Sequence, residues 1–233
     1  DVECRVNATE EYQRWVWIQG EPITNDAGET VRVAGFARDI TERRNHEREL
    51  EATKNQLAEH NQTLRRLYEI SADPDASFDE KIRAVLDLGR ERLGTANAFL
   101  SSNDTDRDEF TIRYARGSDD RLTPGTVTPL SESYCRKMID TGSVMAISEA
   151  SEEGWASDPA YDRWEYETYI SSEVRVCNAH SGTLCFVDRS PRKSPFTEEE
   201  KTFVHLATQW VSYELERQQR EQRLERYKEY TDE

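Results

Sequence analysis

"SGTLCFVDRSPRKSPFTEEEKTFVHLATQWVSYELE", residues 181–216, changes character halfway along. "TLCFVD" (183–188) reads as a strand, and it pairs as a hairpin with "YISSEVRVC" (169–177) around the turn "NAHSG" (178–182). After the prolines of "SPRKSPF", Thr197 and Glu200 form a capping box, which predicts a helix running to the end of the chain. That helix loses its apolar residues after Leu215.

Upstream, the same alternation of helix and strands recurs. In "SFDEKIRAVLDLGRERLG" (77–94), Ser77 and Glu80 make a second capping box and Gly94 marks the stop. Phe78, Ile82, Val85, Leu86 and Leu93 form one apolar face at helical spacing. "ANAFLSS" and "EFTIRYA" predict a hairpin around the turn-rich "NDTDRD", with Phe110, Ile112 and Tyr114 on one face. "LSESYCRKMIDTG" (130–142) predicts a short helix with Ser131 as N-cap and Gly142 at its end. "VMAI" then reads as a strand, and 148–168 as a long loop with one helical turn. Helix, strands, helix, strands, helix is an α+β order, with an antiparallel sheet carrying helices.

Near the start, "VECRV", "YQRWVWIQG" and "ETVRVAGFARDIT" read as three strands, the last two separated by the turn signal "NDAG". Three strands do not make a stable unit alone, and the chain opens in mid-pattern, so further strands are expected upstream. Residues 42–70, without Gly or Pro, predict a helix in which Leu50, Leu57 and Leu64 repeat every seven residues, with Leu67 next. Thr53 and His60 occupy the intervening core-type positions. The pattern predicts a short parallel coiled coil, hence a homodimer through the flanking helices.

The 233 residues are 35% apolar and 33% charged, with a net charge of −16; of the 31 basic residues, 25 are Arg and 6 Lys. Acidity of this kind suits a protein kept soluble at high salt, and it offers no basic stripe for direct nucleic-acid binding. No apolar run approaches the roughly 20 residues of a membrane span, and no signal peptide opens the chain. The four cysteines are too few for a disulfide scaffold, so a reducing cytoplasm is expected.

Residues of about 65–215 resemble a GAF domain of halophilic archaeal sensory proteins. The likeness lies in "LSESYCRKMIDTG", "GWASDPAY" and the opening stretch, with Gly182-Thr183-Leu184-Cys185, Asp188, Pro191-Arg192 and Phe196-Thr197 in family order. Residues of about 1–44 resemble the C-terminal half of a PAS domain, carried by 11–44 with Arg14-Trp15-Val16 and the exit Asp39-Ile40-Thr41-Glu42-Arg43. The resemblance implies 1–41 as partial PAS, 42–70 as a signalling helix, 65–215 as GAF and 216–233 as an output helix. It further implies a non-catalytic sensory module that feeds a histidine kinase or a bacterio-opsin activator-like regulator, as in two-component systems. No kinase histidine box, cyclic-nucleotide motif or phytochrome chromophore motif occurs in the sequence, so neither ligand nor cofactor is named by it. Two alternatives stand beside this one: a dimerisation module without ligand, and a thiol enzyme like free methionine sulfoxide reductases.

The candidate ligand-binding residues are Tyr134, Cys135, Trp155, Tyr161, Trp164, Tyr169, Cys185 and Asp188. Aromatic residues crowd "GWASDPAYDRWEYETY" (154–169), where flat walls suit a planar or apolar small molecule or else roof a dry core. Cys135 is either a small buried hydrophobe or a redox or ligand group near a helix start, and Cys185 reads most simply as core. Cys177 and His180 have C-x-x-H spacing, too few ligands for a metal site.

Overall fold

Three antiparallel strands, β1 (Val2–Thr9), β2 (Tyr12–Thr24) and β3 (Thr30–Asp39), form a sheet in that order. The computed structural model describes residues 2–9, 12–141, 144–177 and 179–231. The chain divides into two units between Asn61 and Gln62. In the first, the Asn25 side chain accepts from the Ala27 and Glu29 amides, which closes the β2–β3 turn with Gly28 in the left-handed region. Opposed residues in the register put Val2, Cys4, Val6, Val16, Ile18, Val33 and Ala37 on one face. Of these, Val2, Val6, Ile18 and Val33 are 43–67% exposed. The other face carries Trp15, Trp17 and Phe36. There Arg44 and Arg48 lie over the Trp15 ring, and Arg43 and Arg44 pair with Glu3.

The strand-to-helix exit explains its sequence. Asp39 accepts from both the amide and the hydroxyl of Thr41, and the Thr41 hydroxyl accepts from the Trp15 amide. Ile40 is buried, its amide bonded to the Trp15 carbonyl. Helix α1 (Thr41–Ala72) starts there and carries the chain into the second unit. Leu50 and Leu57 are 69% and 59% exposed, whereas Leu64 is half-buried and Leu67 buried. The His60 side chain lies outside the described residues.

The second unit is built on a six-stranded antiparallel sheet of order β6-β5-β4-β9-β8-β7. Its strands are β4 (Asn97–Asp104), β5 (Glu109–Arg116), β6 (Val127–Pro129), β7 (Met145–Ile147), β8 (Thr168–Val176) and β9 (Ala179–Asp188). Helices α2 (Phe78–Leu93) and α5 (Glu198–Thr231) cover one face. Short helices α3 (Cys135–Thr141) and α4 (Pro159–Trp164), with their loops, cover the other. Both faces of β4, β8 and β9 are therefore buried, and alternate side chains enter different cores. Ala98, Leu100, Ile170, Leu184 and Phe186 meet α2 and α5, while Phe99, Tyr169, Cys185 and Val187 meet the α3–α4 layer.

Both capping boxes form: Ser77 with Glu80 at α2, and Thr197 with Glu200 at α5. Gly94 ends α2 at φ 65°. Arg192, from the linker before α5, donates to the Leu93 carbonyl at 2.6 Å and to Glu200 at 2.8 Å, and lies 4.0 Å over Phe196. One arginine thus fastens the end of α2 to the start of α5. The end of α1 is fastened similarly: buried Lys81 donates to the Ser71 carbonyl, and Trp210 of α5 donates to the Ser71 hydroxyl.

Two local expectations are corrected. Tyr114 does not share a face with Phe110 and Ile112: the ladder slips between Leu100 and Ser101, Arg113 becomes the extra residue, and alternation inverts. Tyr114 instead packs edge-on against Phe78 and donates to Asp79. Ser131 does not cap α3: it sits in a 3-10 turn (Leu130–Glu132), its amide and hydroxyl both held by Asp108. Gly142 and Asn178, expected at a helix end and in a turn, lie outside the described residues.

Candidate ligand and thiol site

The α3–α4 layer is held by two ion-pair knots. Asp158, the N-cap of α4, accepts from the Ala160 amide and from both Arg136 and Lys137 of α3, at 2.6 and 3.0 Å for the two cations. Burial works against this carboxylate, but the hydrogen bonds from Arg136, Ala160 and Lys137 draw it down to about 2. The second knot is Asp119, which pairs with Arg121 and accepts from the Tyr166 hydroxyl at 2.9 Å. Burial again opposes ionisation, and the Arg121 and Tyr166 bonds bring it to about 2. Arg121 also donates to the Arg163 and Trp164 carbonyls at the end of α4 and lies 5.6 Å from the Trp164 and Tyr166 ring centres. Its fork therefore serves as both helix cap and aromatic cover.

Under these knots the aromatic rings pack on one another. Tyr134 stacks on Tyr169 at 4.9 Å and tilts against Trp155 at 4.9 Å; its hydroxyl donates to the Tyr166 carbonyl. Trp164 lies parallel to Tyr166 and edge-on to Phe110, with its indole N–H on the Glu132 carbonyl. Tyr134, Trp155, Trp164, Tyr166 and Tyr169 are each 8% exposed or less. The rings pack against one another, so a ligand seated among them would displace Tyr134 or the α4 loop.

At the floor lies a compact polar cluster. Cys135, first residue of α3, and Cys185, in central strand β9, have their sulfurs 3.7 Å apart. The Tyr169 hydroxyl lies 3.3 Å from the first and 3.4 Å from the second. The Thr183 hydroxyl lies 3.1 Å from Cys135 and 3.3 Å from Cys185, and 2.7 Å from the Ser101 hydroxyl. Burial disfavours ionising either thiol. Donors from Cys185, Thr183 and Tyr169 converge on Cys135 and lower its pKa, while burial and the neighbouring Cys135 raise that of Cys185. Ser171, directly opposite Cys185 and on the same face, is fully buried, and its hydroxyl has no partner among the described residues.

The structure thus brings together Tyr134, Cys135, Trp155, Trp164, Tyr169 and Cys185, with Tyr161 partly buried at their edge. Asp188 stands apart: its carboxylate accepts from the Ala96 and Ser190 amides and lines a separate cleft of about 500 Å³ with Asn97, Arg121 and Arg189. Tyr166 belongs to the aromatic stretch already singled out; the members not foreseen are Asp119, Arg121, Thr183, Ser101 and Ser171. Only the register that sets Ser101 beside Thr183 and Ser171 beside Cys185 could have found the last three. Cys177 is exposed, and among the described residues no three His, Cys, Asp or Glu side chains are placed to hold a metal. The His180 side chain lies outside the described residues.

No protein-family model and no curated protein sequence matches the chain. Solved structures do. The GAF domain of an Acinetobacter phosphoenolpyruvate-protein phosphotransferase aligns over 69% of this chain and 92% of its own, with a TM-score of 0.54 at 14% identity. Free methionine-R-sulfoxide reductase from Neisseria meningitidis, in complex with its substrate, aligns over 69% and 93%, with a TM-score of 0.54 at 13% identity. The phycocyanobilin-bound GAF domain of a cyanobacterial phytochrome aligns over 68% and 94%, with a TM-score of 0.54 at 12% identity. At such identities the likeness is one of fold, and the fold is GAF-like.

Proposed function

We propose that a GAF-type sensory or regulatory module occupies the second unit, with its receiving element in the α3–α4 layer and its outputs in α1 and α5. One observation carries this reading. Strands β8 and β9 send neighbouring side chains alternately into the receiving layer (Tyr169, Cys185) and into the core beneath α2 and α5 (Ile170, Leu184, Phe186). Displacing Tyr134 or Tyr169 therefore disturbs the same two strands on which α5 rests. Ser71 then links α5 to the end of α1 through Trp210. The phycocyanobilin-bound GAF domain of the cyanobacterial phytochrome is a precedent for a small molecule held in this fold.

The first unit fits the C-terminal half of a PAS domain. Its exposed valine face calls for covering strands or helices, and its Asp39-Ile40-Thr41 exit is built to launch a helix. The exposed Leu50 and Leu57 favour pairing of α1 with a second copy. A kinase or transcription-regulator output, a cytoplasmic setting and adaptation to high salt complete the proposal. Among the described residues, no helix is long and apolar enough to cross a membrane.

The thiol-enzyme alternative draws on the sulfoxide reductase relative, but both clustered thiols are 1% exposed or less. Incubation with free methionine sulfoxide separates the two: the sensory reading expects no sulfoxide consumed, and turnover would replace it. For the sensory reading itself, hydrogen exchange is followed across residues 130–169 while candidate small molecules are added. Altered protection there, spreading to α5, is the expected result; binding that leaves α5 protection unchanged would sink the transmission route.

A further inference from the structure

We infer that Cys135 and Cys185 form a reversible intramolecular disulfide, making the floor of the aromatic site a redox centre for small hydroperoxides. This deepens the sensory reading by naming one input, yet the bond itself is tested by its own chemistry and does not depend on that reading.

The two sulfurs are already in van der Waals contact at 3.7 Å, against about 2.05 Å in a disulfide. Closing that gap asks little of β9, a central strand paired on both sides, and most of α3, a helix of 7 residues whose first residue is Cys135. Hydroxyl groups surround the pair: Tyr169 and Thr183 each reach both sulfurs. Packing alone does not need two hydroxyls shared between two thiols in an otherwise aromatic core, because an apolar residue would fill the space without a bonding requirement. The unpartnered Ser171 hydroxyl beside Cys185 adds a polar foothold at the same spot.

The chemistry balances with hydrogen peroxide as the oxidant. The Cys135 thiolate attacks one peroxide oxygen, the O–O bond breaks, and hydroxide leaves, giving a sulfenic acid at Cys135. The Cys185 thiol loses its proton to that hydroxide, which becomes water. Its sulfur then attacks the Cys135 sulfur, the S–O bond breaks, and the second hydroxide leaves, protonated by the thiol proton that Cys135 gave up. Two thiols and one peroxide become one disulfide and two waters, with two electrons passing to the peroxide. Tyr169 and Thr183 are placed to donate to the departing oxygen. Burial restricts the reagent to a small uncharged oxidant and excludes bulky disulfides.

The structural consequence is local and directional. Shortening the contact draws the start of α3 onto β9, moves Tyr134 against Tyr169, and removes the thiols on which the Tyr169 hydroxyl rests. Trp155, 4.9 Å from Tyr134 and under the Lys137 ammonium at 4.0 Å, reports the change.

The test uses the full chain carrying Cys177→Ser, because residues 176–189 otherwise hold two cysteines in one tryptic peptide. After hydrogen peroxide and alkylation of remaining thiols, peptide mapping should find 122–136 joined to 176–189 with loss of two hydrogens. Dithiothreitol should reverse it, and tryptophan fluorescence should shift in step. Tyr169→Phe should slow formation by about tenfold, and Cys185→Ser should abolish the link. Cys135→Ala with Cys185 intact, which keeps a small apolar residue at the helix start, should show no fluorescence response to peroxide. Over-oxidation of Cys135 without a link, or two clustered thiols untouched while Cys177 of the unsubstituted chain reacts, would overturn the inference.

Discussion

Asp119 and Asp158 carry more of the α3–α4 layer than their size suggests: Asp119 is shared by Arg121, Arg189 and the Tyr166 hydroxyl, and Asp158 by Arg136, Lys137 and the Ala160 amide. Their carboxyls are drawn from 3.8 to about 2, against burial, by hydrogen bonds from Arg121 and Arg136 respectively. A folded pKa below the unfolded one means that stabilisation is complete above about pH 4 and drains away as the pH falls towards about 2. Asp119→Asn should therefore cost on the order of 1–2 kcal/mol in urea unfolding at pH 7 and about half as much at pH 3. An equal loss at both values would show that the side chain acts through shape and not charge. Neither knot was legible in the sequence, because Asp119 meets Tyr166 and Asp158 meets Arg136 only after distant loops fold back. The Cys135–Cys185 contact was hidden for the same reason, being 50 residues apart and set by strand register. The aromatic cluster was readable, since five of its rings crowd one short stretch of chain.

Elements with local signals were read almost to the residue. Ser77 and Glu80, like Thr197 and Glu200, satisfy helix-end amides within four residues of one another, so no tertiary context intervenes. Ser77→Ala should accordingly lower stability by about 1 kcal/mol, measured by thermal or urea unfolding. Tyr114 was misplaced because a bulge carries no periodic signature: one extra residue at Arg113 reverses every side chain beyond it. The "DLGRE" glycine of α2 also has a meaning visible only in space. A Cβ on Gly89 would lie 2.1 Å from the Phe186 ring, so α2 rests directly on β9 at that point. Helix propensity alone favours Gly89→Ala by about 1 kcal/mol. Overpacking in the core costs typically about 1–3 kcal/mol, so the net effect should be destabilising, by up to about 2 kcal/mol. A Gly89→Ala protein more stable than the parent would show that the helix lifts from the sheet at little cost.

At the scale of the whole molecule, the opposing quantities are a surface of net charge −16 and an α1 seam that leaves Leu50 and Leu57 more than half exposed. If two copies pair along α1, the apolar gain is local while the repulsion is spread over both acidic bodies. Salt shortens the reach of that repulsion from about 10 Å at 0.1 M to about 3 Å at 1 M, and it does not weaken the burial of leucine. The dimer should therefore tighten as salt rises, opposite to an assembly held by surface ion pairs. Sedimentation equilibrium from 0.1 to 2 M salt should show the dissociation constant falling by about tenfold or more. Leu50→Glu combined with Leu57→Glu places four carboxylates in the seam of the pair and should leave a monomer at every salt concentration. Both positions are exposed in the single chain, so the circular dichroism of the variant should match that of the parent. A parent protein that stays monomeric at tens of micromolar in 2 M salt would remove pairing of α1 from the signalling scheme and leave α5, with exposed Tyr213, Leu224 and Tyr227, as the remaining candidate for a helical contact.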